Sequence, residues 1–458
     1  MKTKYLLLTA SAALALGACN KQETKLQTPE TTVQEIPVGF DAYTTRGVTK
    51  AGYAGDLNST ALQAQGFGVF AYYTDNIEYD AQSLPNFMYN QQVTHDGTNW
   101  NYTPIKYWPN EYGNTAISDD VDKVSFFAYT PYVAVTPATG KVADPSFGIT
   151  GMTRNSANGD PILKYVSSFD PAKSVDLCWG VVGDTEATNW TIQQTNAAQS
   201  GLTAGFPWID VQRPADPTDG QKLKFTFKHA LSKLNVQIDA DPDITAHATM
   251  PAVAAETKVY VRSITFTGFA IKGALNLNNK EPNVPNKAYW LDYAGVNELV
   301  TGEEVTIFDG RKDGKEGVVG AIASNEKTTG LNPVIISGDA ATAGVTSDPV
   351  NLFGKSGVTP ITLDEPVYVI PTGDAISVNI VYDVETEDVN LPTVLSDGKK
   401  YGSSIENSIR KIITNIPKFE NGKAYTLKLH LGLNSVKFDA AVTDWVDVAA
   451  EDAYLPAN

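Results

Sequence analysis

The stretch VDKVSFFAY, residues 121–129, decides the fold. Valine, phenylalanine and tyrosine favour strands, and the run stops shortly before Pro131, which cannot continue a hydrogen-bonded ladder. Short runs of the same kind recur on both sides of it, separated by Gly, Asn, Asp and Pro, and long helical periodicity is absent. Regularly spaced short strands with turn residues between them favour a β-sandwich over alternating strands and helices.

The part of the chain before residue 213 predicts several more short strands and one short helix, at Leu57 to Gln65. Residues 133–170 and 184–205 have no such pattern and are predicted to be long decorated loops. The strands are expected at 66–73, 87–93, 100–102, 105–108 and 177–180.

Residues 213–220, RPADPTDG, have the composition of a linker. We therefore expect an all-β protein with two β-sandwich domains in tandem, 47–215 and 222–458. An insertion at 311–360 is predicted to be loop. The strands of the second domain are expected at 223–227, 231–238, 259–266, 274–277, 305–308, 367–370, 376–384, 425–431 and 436–442.

Length, composition, charge and cysteine content exclude several classes of protein. The 458 residues exceed one compact domain, and 42% apolar against 19% charged residues excludes a disordered tether. With 35 Lys+Arg against 52 Asp+Glu, the net charge of −17 argues against nucleic-acid binding, so no nucleic-acid partner is expected. Two cysteines exclude a disulfide scaffold and a cysteine-based zinc ribbon.

The N-terminus predicts export. Lys2 and Lys4 precede an apolar run at 5–16, and the small residues that follow suit a peptidase, so 1–18 is expected to be a signal peptide. An ordinary signal followed by a chance cysteine at Cys19 is the alternative. No later segment reaches the roughly 18 consecutive apolar residues of a transmembrane helix. Cys178 is expected to be a buried, inert thiol beside Trp179.

Residues 19–46 are predicted to be a polar tether followed by an edge strand. Pro37 cannot donate to a ladder, so the strand belongs at a sheet edge or at a strand start. The turn-prone residues Thr44, Thr45, Arg46 and Gly47 follow it directly. One face of this strand is apolar, at Ile36, Val38, Phe40 and Ala42.

Catalytic motifs are absent: there is no Gly-x-Ser-x-Gly, His-Glu-x-x-His or phosphate-binding loop. The many aromatic residues between Phe67 and Tyr132 favour a sandwich core over a sugar-stacking platform. We expect neither enzymatic activity nor a cofactor or metal site; weak surface calcium at the acidic clusters 119–122, 239–243 and 385–388 stays open. Of the four histidines, His95 is expected in a turn and His247 in a loop. The strand residues His229 and His430 are expected to be structural.

Several segments together resemble the fimbrillin family of lipoproteins, the subunits of type V pili. They occur in the family's order and cover most of the chain. The segments are the Leu16-Gly17-Ala18-Cys19 lipobox, the strand before Thr45-Arg46, GFGVFAYY at 66–73, FMYN at 87–90, YWP at 107–109, VSFFAYTPY at 124–132, FKHALSKL at 227–234 and TDW at 443–445.

The resemblance implies two transthyretin-like domains and a lipoprotein precursor acylated at Cys19 and anchored in the outer membrane. It implies cleavage between Arg46 and Gly47 by an Arg-specific protease, which removes the strand of residues 33–43. A strand from another subunit then fills the groove, and the protein becomes part of a fimbrium at the cell surface. The implied partners are other pilus subunits, with host or bacterial surface glycans or proteins as further candidates.

A second function class stays open, a monomeric lipid-anchored surface protein that binds glycans or host molecules. Stalk, tip and anchor roles are also open. The alternation of Val436, Phe438, Ala440 and Val442 is typical of a donor strand, whereas the tail after Trp445 is only weakly strand-forming.

Overall fold

A computed structural model gives the structure of the protein. The contacts between residues divide the chain into two units, Met1–Gln34 and Glu35–Asn458. Every described residue belongs to the second unit. The described residues are 35–44, 57–74, 79–80, 82–109, 124–143, 145, 147–168, 173–182, 209–211, 222–240, 257–278, 289–291, 304–309, 334–335, 350–351, 355–356, 359–360, 367–371, 376–392, 402–413, 419–431 and 436–444.

The described chain is built almost wholly from strands. Its first half contains β1 Gly39–Thr44, α1 Ser59–Gln65, β2 Phe67–Tyr73, β3 Met88–His95, β4 Trp100–Asn101, β5 Val124–Thr130, β6 Val135–Thr136, β7 Lys141–Val142, β8 Ile149–Met152, β9 Ile162–Val166, β10 Cys178–Val182, β11 Ile209–Val211 and β12 Lys222–His229. The second half contains β13 Ser232–Ala240, β14 Thr257–Thr267, β15 Lys272–Asn276, β16 Tyr289–Leu291, β17 Val305–Asp309, β18 Val334–Ile335, β19 Val350–Asn351, β20 Lys355–Ser356, β21 Thr359–Pro360, β22 Val367–Val369, β23 Ile376–Glu387, β24 Gly402–Ile413, β25 Lys423–Leu431 and β26 Val436–Asp444.

Helix α1 is short because both of its ends are set by neighbouring residues. The side chain of Asn58 caps the first turn by accepting from the backbone N–H of Ala61 at 2.9 Å. Gly66 ends the helix at φ +66°, and a Cβ there would lie 2.3 Å from the carbonyl oxygen of Val93. None of the described helical residues forms a helix with the length and apolarity needed to cross a membrane.

The first sheet has the order β1-β12-β10-β5-β2-β3-β4, with β11 also paired to β5. Its central strands are buried on both faces, and every residue of β5 and of β10 is buried. This explains why VSFFAYT reads as a continuous apolar run rather than as an alternation.

A second sheet covers one face of the first and has the order β16-β15-β9-β8-β7-β6. The prediction of loop at 133–170 is therefore wrong, since four strands lie there. Their pattern was missed because β6 and β7 have two residues each and β8 contains Gly151. Buried side chains of Ile149, Leu163 and Tyr165 fix these strands against the first sheet.

Two further sheets contain the longest strands. One has the order β19-β13-β25-β26 with β22 on β13, and the other has the order β17-β14-β23-β24 with β18 on β14. Strand β24 was not predicted because its sequence, GSSIENSIRKII, begins with polar residues and lacks regular alternation. Two short strands, β20 and β21, pair within the insertion predicted to be loop.

Two hydrophobic cores flank the first sheet. One contains β1 side chains together with Phe67, Phe126 and Phe225, and the other contains Phe70 and Trp179 packed on the second sheet. The predicted role of the aromatic stretch as core is confirmed for those of its members that are buried. They are Phe67, Phe70, Tyr72, Tyr79, Tyr102, Trp108, Phe126, Phe127 and Tyr129.

The all-β prediction is confirmed. The division into domains 47–215 and 222–458 stays a prediction, since residues 212–221 lie outside the described part of the chain. Strand β12, which follows that stretch, is hydrogen-bonded to β1 and β10 in the first sheet.

Candidate functional site: the N-terminal strand and its groove

Strand β1 closes one edge of the first sheet. It runs parallel to β12 in a continuous register from Gly39 opposite Lys222 to Thr44 opposite Phe227. The backbone just before β1 is hydrogen-bonded to a different segment: the N–H of Val38 donates to the Lys106 carbonyl at 2.9 Å. The N-terminal strand segment, residues 36–44, therefore bridges β12 and the segment 106–108.

A second pair of contacts fixes the start of this segment. The backbone N–H of Trp108 donates to the carbonyl of Ile36 at 2.9 Å, and Pro37 forms a bridge with Tyr107. The predicted edge position of the proline is confirmed, since β1 ends the sheet order and Pro37 precedes its first residue.

The side chains of the segment alternate between core and surface. The apolar members predicted from the sequence are all buried, whereas Glu35 and Pro37 are exposed and Tyr43 is 47% exposed. Burying an isoleucine, a valine and a phenylalanine contributes about 5–9 kcal/mol in total relative to leaving them in water. The buried members are Ile36, Val38, Phe40 and Ala42.

Phe40 is the centre of an aromatic cluster and is only 1% exposed. It lies edge-on to Tyr102 with ring centroids 5.4 Å apart, and edge-on to Phe67 and Phe126 at 6.1 and 6.0 Å. A stacked contact to Phe225, at 6.3 Å, completes the cluster. If the strand left, these four rings would line an open groove.

Tyr102 binds the strand through a polar contact inside this core. Its hydroxyl donates to the Val38 carbonyl at 2.8 Å and accepts from the backbone N–H of Lys106 at 3.2 Å. Burial raises the pKa of Tyr102 to about 12, so the hydroxyl keeps its proton and remains a donor at neutral pH.

The outer face of β1 carries a weak ion pair. Lys222 Nζ lies 3.5 Å from Asp41 Oδ1 and 3.4 Å from Asn99 Oδ1, and the Lys222 and Asp41 side chains are both partly exposed. Exposed pairs of this kind contribute about 0–1 kcal/mol. The groove therefore retains the strand mainly through apolar burial and backbone hydrogen bonds.

Three predicted site residues lie outside the described residues: Cys19, Arg46 and Gly47. The described part of the strand stops at Thr44, whose hydroxyl lies 3.1 Å from that of Ser59 at the start of α1.

A second cluster lies where β12 ends. Cys178 stands directly opposite His229 in the ladder between β10 and β12. His229 Nδ1 lies 2.6 Å from Asp176 Oδ2 and 3.6 Å from Cys178 Sγ, and the thiol lies 3.4 Å from the same carboxylate oxygen. The backbone N–H of Leu57 also donates to Asp176 Oδ2, at 3.3 Å.

Cys178 is buried beside Trp179 as predicted, but its contacts with Asp176 and His229 were not foreseen. Burial raises the pKa of the Cys178 thiol, and the negative charge of Asp176 raises it further. A nucleophilic relay needs the carboxylate and the nucleophile on opposite nitrogens of the imidazole, whereas here both contact Nδ1. The cluster is therefore not a hydrolytic triad.

The other histidine and acidic residues singled out in the sequence form no catalytic or metal-binding cluster among the described residues. His95 was expected in a turn but is the last residue of β3. Its ring lies edge-on to Trp100 at 4.9 Å, and its Nδ1 accepts from Gly97 N–H. Asp388 accepts from the backbone N–H of Asn390 in a local turn. Residues 119–122 and His247 lie outside the described residues.

A polar recess of about 180 Å³ lies on the sheet containing β14, β23 and β24. Arg410 Nη2 donates to Ser377 Oγ at 3.3 Å within it. The lining includes no aromatic side chain, so the recess lacks the stacking surface that sugar-binding sites use. Its residues are Thr265, Thr267, Glu304, Ser377, Asn379 and Arg410.

Comparisons with known proteins agree with this architecture. A family model described as fimbrillin-like matches residues 173–445. The fimbrium subunit Fim1C of Phocaeicola vulgatus is 23% identical over 466 aligned residues, which cover 99% of each chain. The crystal structure of a fimbrial protein from Bacteroides vulgatus has a TM-score of 0.53 and 20% identity, covering 90% of this chain and 99% of that one.

Proposed function

The chain belongs to the fimbrillin-like family, and we propose that it is a structural or adhesive fimbrial subunit assembled at the cell surface by strand exchange. In this proposal it is exported as a lipoprotein precursor acylated at Cys19. Cleavage between Arg46 and Gly47 then releases the N-terminal strand segment, and a strand of another subunit takes its place.

The observation that carries the proposal is the position of β1. Removing a strand from the edge of the sheet breaks no backbone pairing other than its own with β12 and with 106–108, and the central ladders stay intact. The vacated groove then exposes the Phe40 neighbours and unpaired backbone groups of β12, which only another strand can satisfy together.

The chain around the cleavage site supports the same sequence of events. Arg46 follows the last described residue of β1 by two positions, and the next described residue is Leu57, just before α1. A protease at Arg46 therefore separates the strand from the rest of the fold. The net charge of −17 makes electrostatic attraction between like subunits unfavourable, so apolar insertion drives the association.

The family consists of fimbrial subunits, and we infer that the chain has no enzymatic activity of its own. The contact of both Asp176 and Cys178 with Nδ1 of His229 supports this inference, since a nucleophilic relay needs them on opposite nitrogens. A cell-surface location follows from the function of a fimbrial subunit, and other fimbrial subunits are the partners.

Limited trypsin treatment of the full-length protein, followed by N-terminal sequencing and size determination by light scattering, tests the proposal. We expect the first product to begin at Gly47 and to form oligomers, whereas Arg46→Ala stays intact at that site and monomeric. Arg154→Ala is the matched control, because Arg154 lies in an exposed turn and should leave the first cut unchanged.

A competition experiment separates strand exchange from non-specific association. A synthetic peptide of residues 33–46, VQEIPVGFDAYTTR, should refill the groove and keep the trimmed protein monomeric. The same peptide with Phe40→Asp should fail to do so. A trimmed protein that stays monomeric without any peptide would favour a surface-anchored binder, the alternative class.

A further inference from the structure

Asp176, Cys178 and His229 bring three different metal-ligating atoms together in the core. Their donor atoms all lie within 4.8 Å of one another, and the residues are 0%, 1% and 6% exposed. A carboxylate oxygen, a thiol sulfur and an imidazole nitrogen are three of the donor types that zinc uses in proteins.

One carboxylate oxygen of Asp176 has no hydrogen-bond partner among the described residues. Its Oδ2 receives the contacts from His229, Leu57 and Cys178, but its Oδ1 is buried without a hydrogen-bond partner among the described residues. A buried carboxylate oxygen left without a donor or cation is costly. A cation bound at Oδ2 would neutralise the carboxylate as a whole and so lower the cost of burying it.

We propose that Asp176, Cys178 and His229 form a binding site for one divalent transition-metal ion, with Zn²⁺ as the preferred ion. Hard cations such as Ca²⁺ and Mg²⁺ take oxygen ligands, whereas the mixed sulfur, nitrogen and oxygen set suits zinc and its neighbours in the first transition row.

The distances between donors fit such an ion after one small movement. Zn–S bonds of about 2.3 Å and Zn–N and Zn–O bonds of about 2.0–2.1 Å in a tetrahedron set S and N about 3.6 Å apart and N and O about 3.4 Å apart. The sulfur lies 3.6 Å from Nδ1 and 3.4 Å from Oδ2. The Nδ1–Oδ2 pair, at 2.6 Å, must open by about 0.8 Å.

Binding is a proton exchange without any redox step. The ion displaces the thiol proton of Cys178, which leaves to solvent. The proton between His229 Nδ1 and Asp176 also leaves Nδ1: it moves to Nε2 if the ring is neutral, or to solvent if the ring is protonated, so that a neutral imidazole binds the ion. A bound divalent ion supplies the charge that makes the buried thiol ionise.

The ion would connect the end of β12, the strand that pairs with β1, to the start of β10. His229 is the last residue of β12 and Cys178 the first of β10, while Asp176 holds the backbone of Leu57 just before α1. Metal binding should therefore stabilise the groove-forming part of the first sheet, independently of whether strand exchange takes place.

The test uses the full chain carrying Cys19→Ser, so that Cys178 is the only thiol. Protein refolded from urea with chelator present, and then dialysed free of the chelator, is titrated with CoCl₂ and, separately, with ZnCl₂. We expect one Co²⁺ per chain, a near-ultraviolet thiolate-to-cobalt charge-transfer band, displacement by Zn²⁺, and a higher thermal midpoint with either ion. Binding without the charge-transfer band, or no binding, would overturn the proposal in the parent protein itself.

Variants then assign the ligands. Cys178→Ser should abolish the charge-transfer band, and Asp176→Asn and His229→Gln should each weaken Zn²⁺ binding at least about tenfold. His95→Gln, a change at the end of β3 and outside the cluster, should leave the titration unchanged. Near-ultraviolet circular dichroism of each metal-free variant shows whether it has folded. Undiminished zinc affinity in a folded Asp176→Asn or His229→Gln variant would contradict the ligand set.

Discussion

Phe40 stacks on Phe225 with ring centroids 6.3 Å apart and ring planes inclined by 19°. Phe225 stands opposite Ala42 in the parallel register, so the two rings form a diagonal pair across β1 and β12. This pair links the strand proposed to leave with the strand that would remain, and it makes Phe40 the main apolar anchor of the groove.

Replacing Phe40 with alanine should lower the free energy of unfolding of the full-length protein by about 3–5 kcal/mol, since the cavity would lie among four aromatic rings. Urea denaturation measures the change. Tyr43→Ala is the control on the same strand, and its half-exposed ring should contribute less than about 1 kcal/mol. Equal losses would show that the two faces of β1 do not differ energetically.

Tyr102→Phe should lower stability at pH 7 by about 1–3 kcal/mol, because the buried Val38 carbonyl loses its donor. The same substitution should weaken the alkaline loss of stability. Since burial raises the pKa of Tyr102 to about 12, the phenol stabilises the folded state fully below pH 10 and loses that effect between pH 10 and 12.

The unfolded tyrosine ionises first in that window, so the loss is at most about 1.4 kcal/mol per pH unit and smaller with solvent screening. Urea midpoints of the parent protein and of Tyr102→Phe at several pH values from 9 to 12 would show the difference. Parallel curves would mean that the Tyr102 hydroxyl is as hydrated in the folded state as in the unfolded state.

The ion pair on the outer face of β1 should matter little. Lys222→Gln is expected to change the free energy of unfolding by less than about 1 kcal/mol, and the effect should shrink in 1 M NaCl. A loss above about 2 kcal/mol that resists salt would indicate that Lys222 and Asp41 act as a buried pair, contrary to their partial exposure.

Two glycines with positive φ provide a matched steric test. Gly66 and Gly97 have φ values of +66° and +101°, but a Cβ at Gly66 would meet the Val93 carbonyl oxygen at 2.3 Å, whereas at Gly97 it meets nothing within 4 Å. Gly97→Ala should lower stability by about 1–2 kcal/mol through backbone strain alone. Gly66→Ala should lower it by about 1–3 kcal/mol more, measured by thermal unfolding.

Local patterns predicted much of this fold. The alternation at residues 36–42 and the aromatic runs of β2 and β5 specify strands by themselves, because each has a strong apolar periodicity or a fully apolar core sequence. Strands β6 to β9 escaped prediction since they are short and gain their stability from packing on the first sheet.

The cluster of Asp176, Cys178 and His229 could not be predicted from the sequence either. Asp176 and Cys178 are two residues apart, but His229 comes 51 positions later and joins them only through the register of β10 with β12. No spacing motif marks such a set. The sequence did show a histidine, His229, at the end of an apolar strand. Whether that histidine can bind a ligand depends on the residue that faces it on the neighbouring strand, and the sequence does not reveal that residue.

The parallel, six-residue register between β1 and β12 has a mechanical consequence. A replacement strand that copies this alignment, when pulled along its own axis, loads all of its hydrogen bonds together in shear. Peeling from one end would instead break them one after another. We expect a filament joined in this way to resist axial tension well above the force that a peeling geometry withstands, and single-molecule pulling on linked subunits would measure the difference.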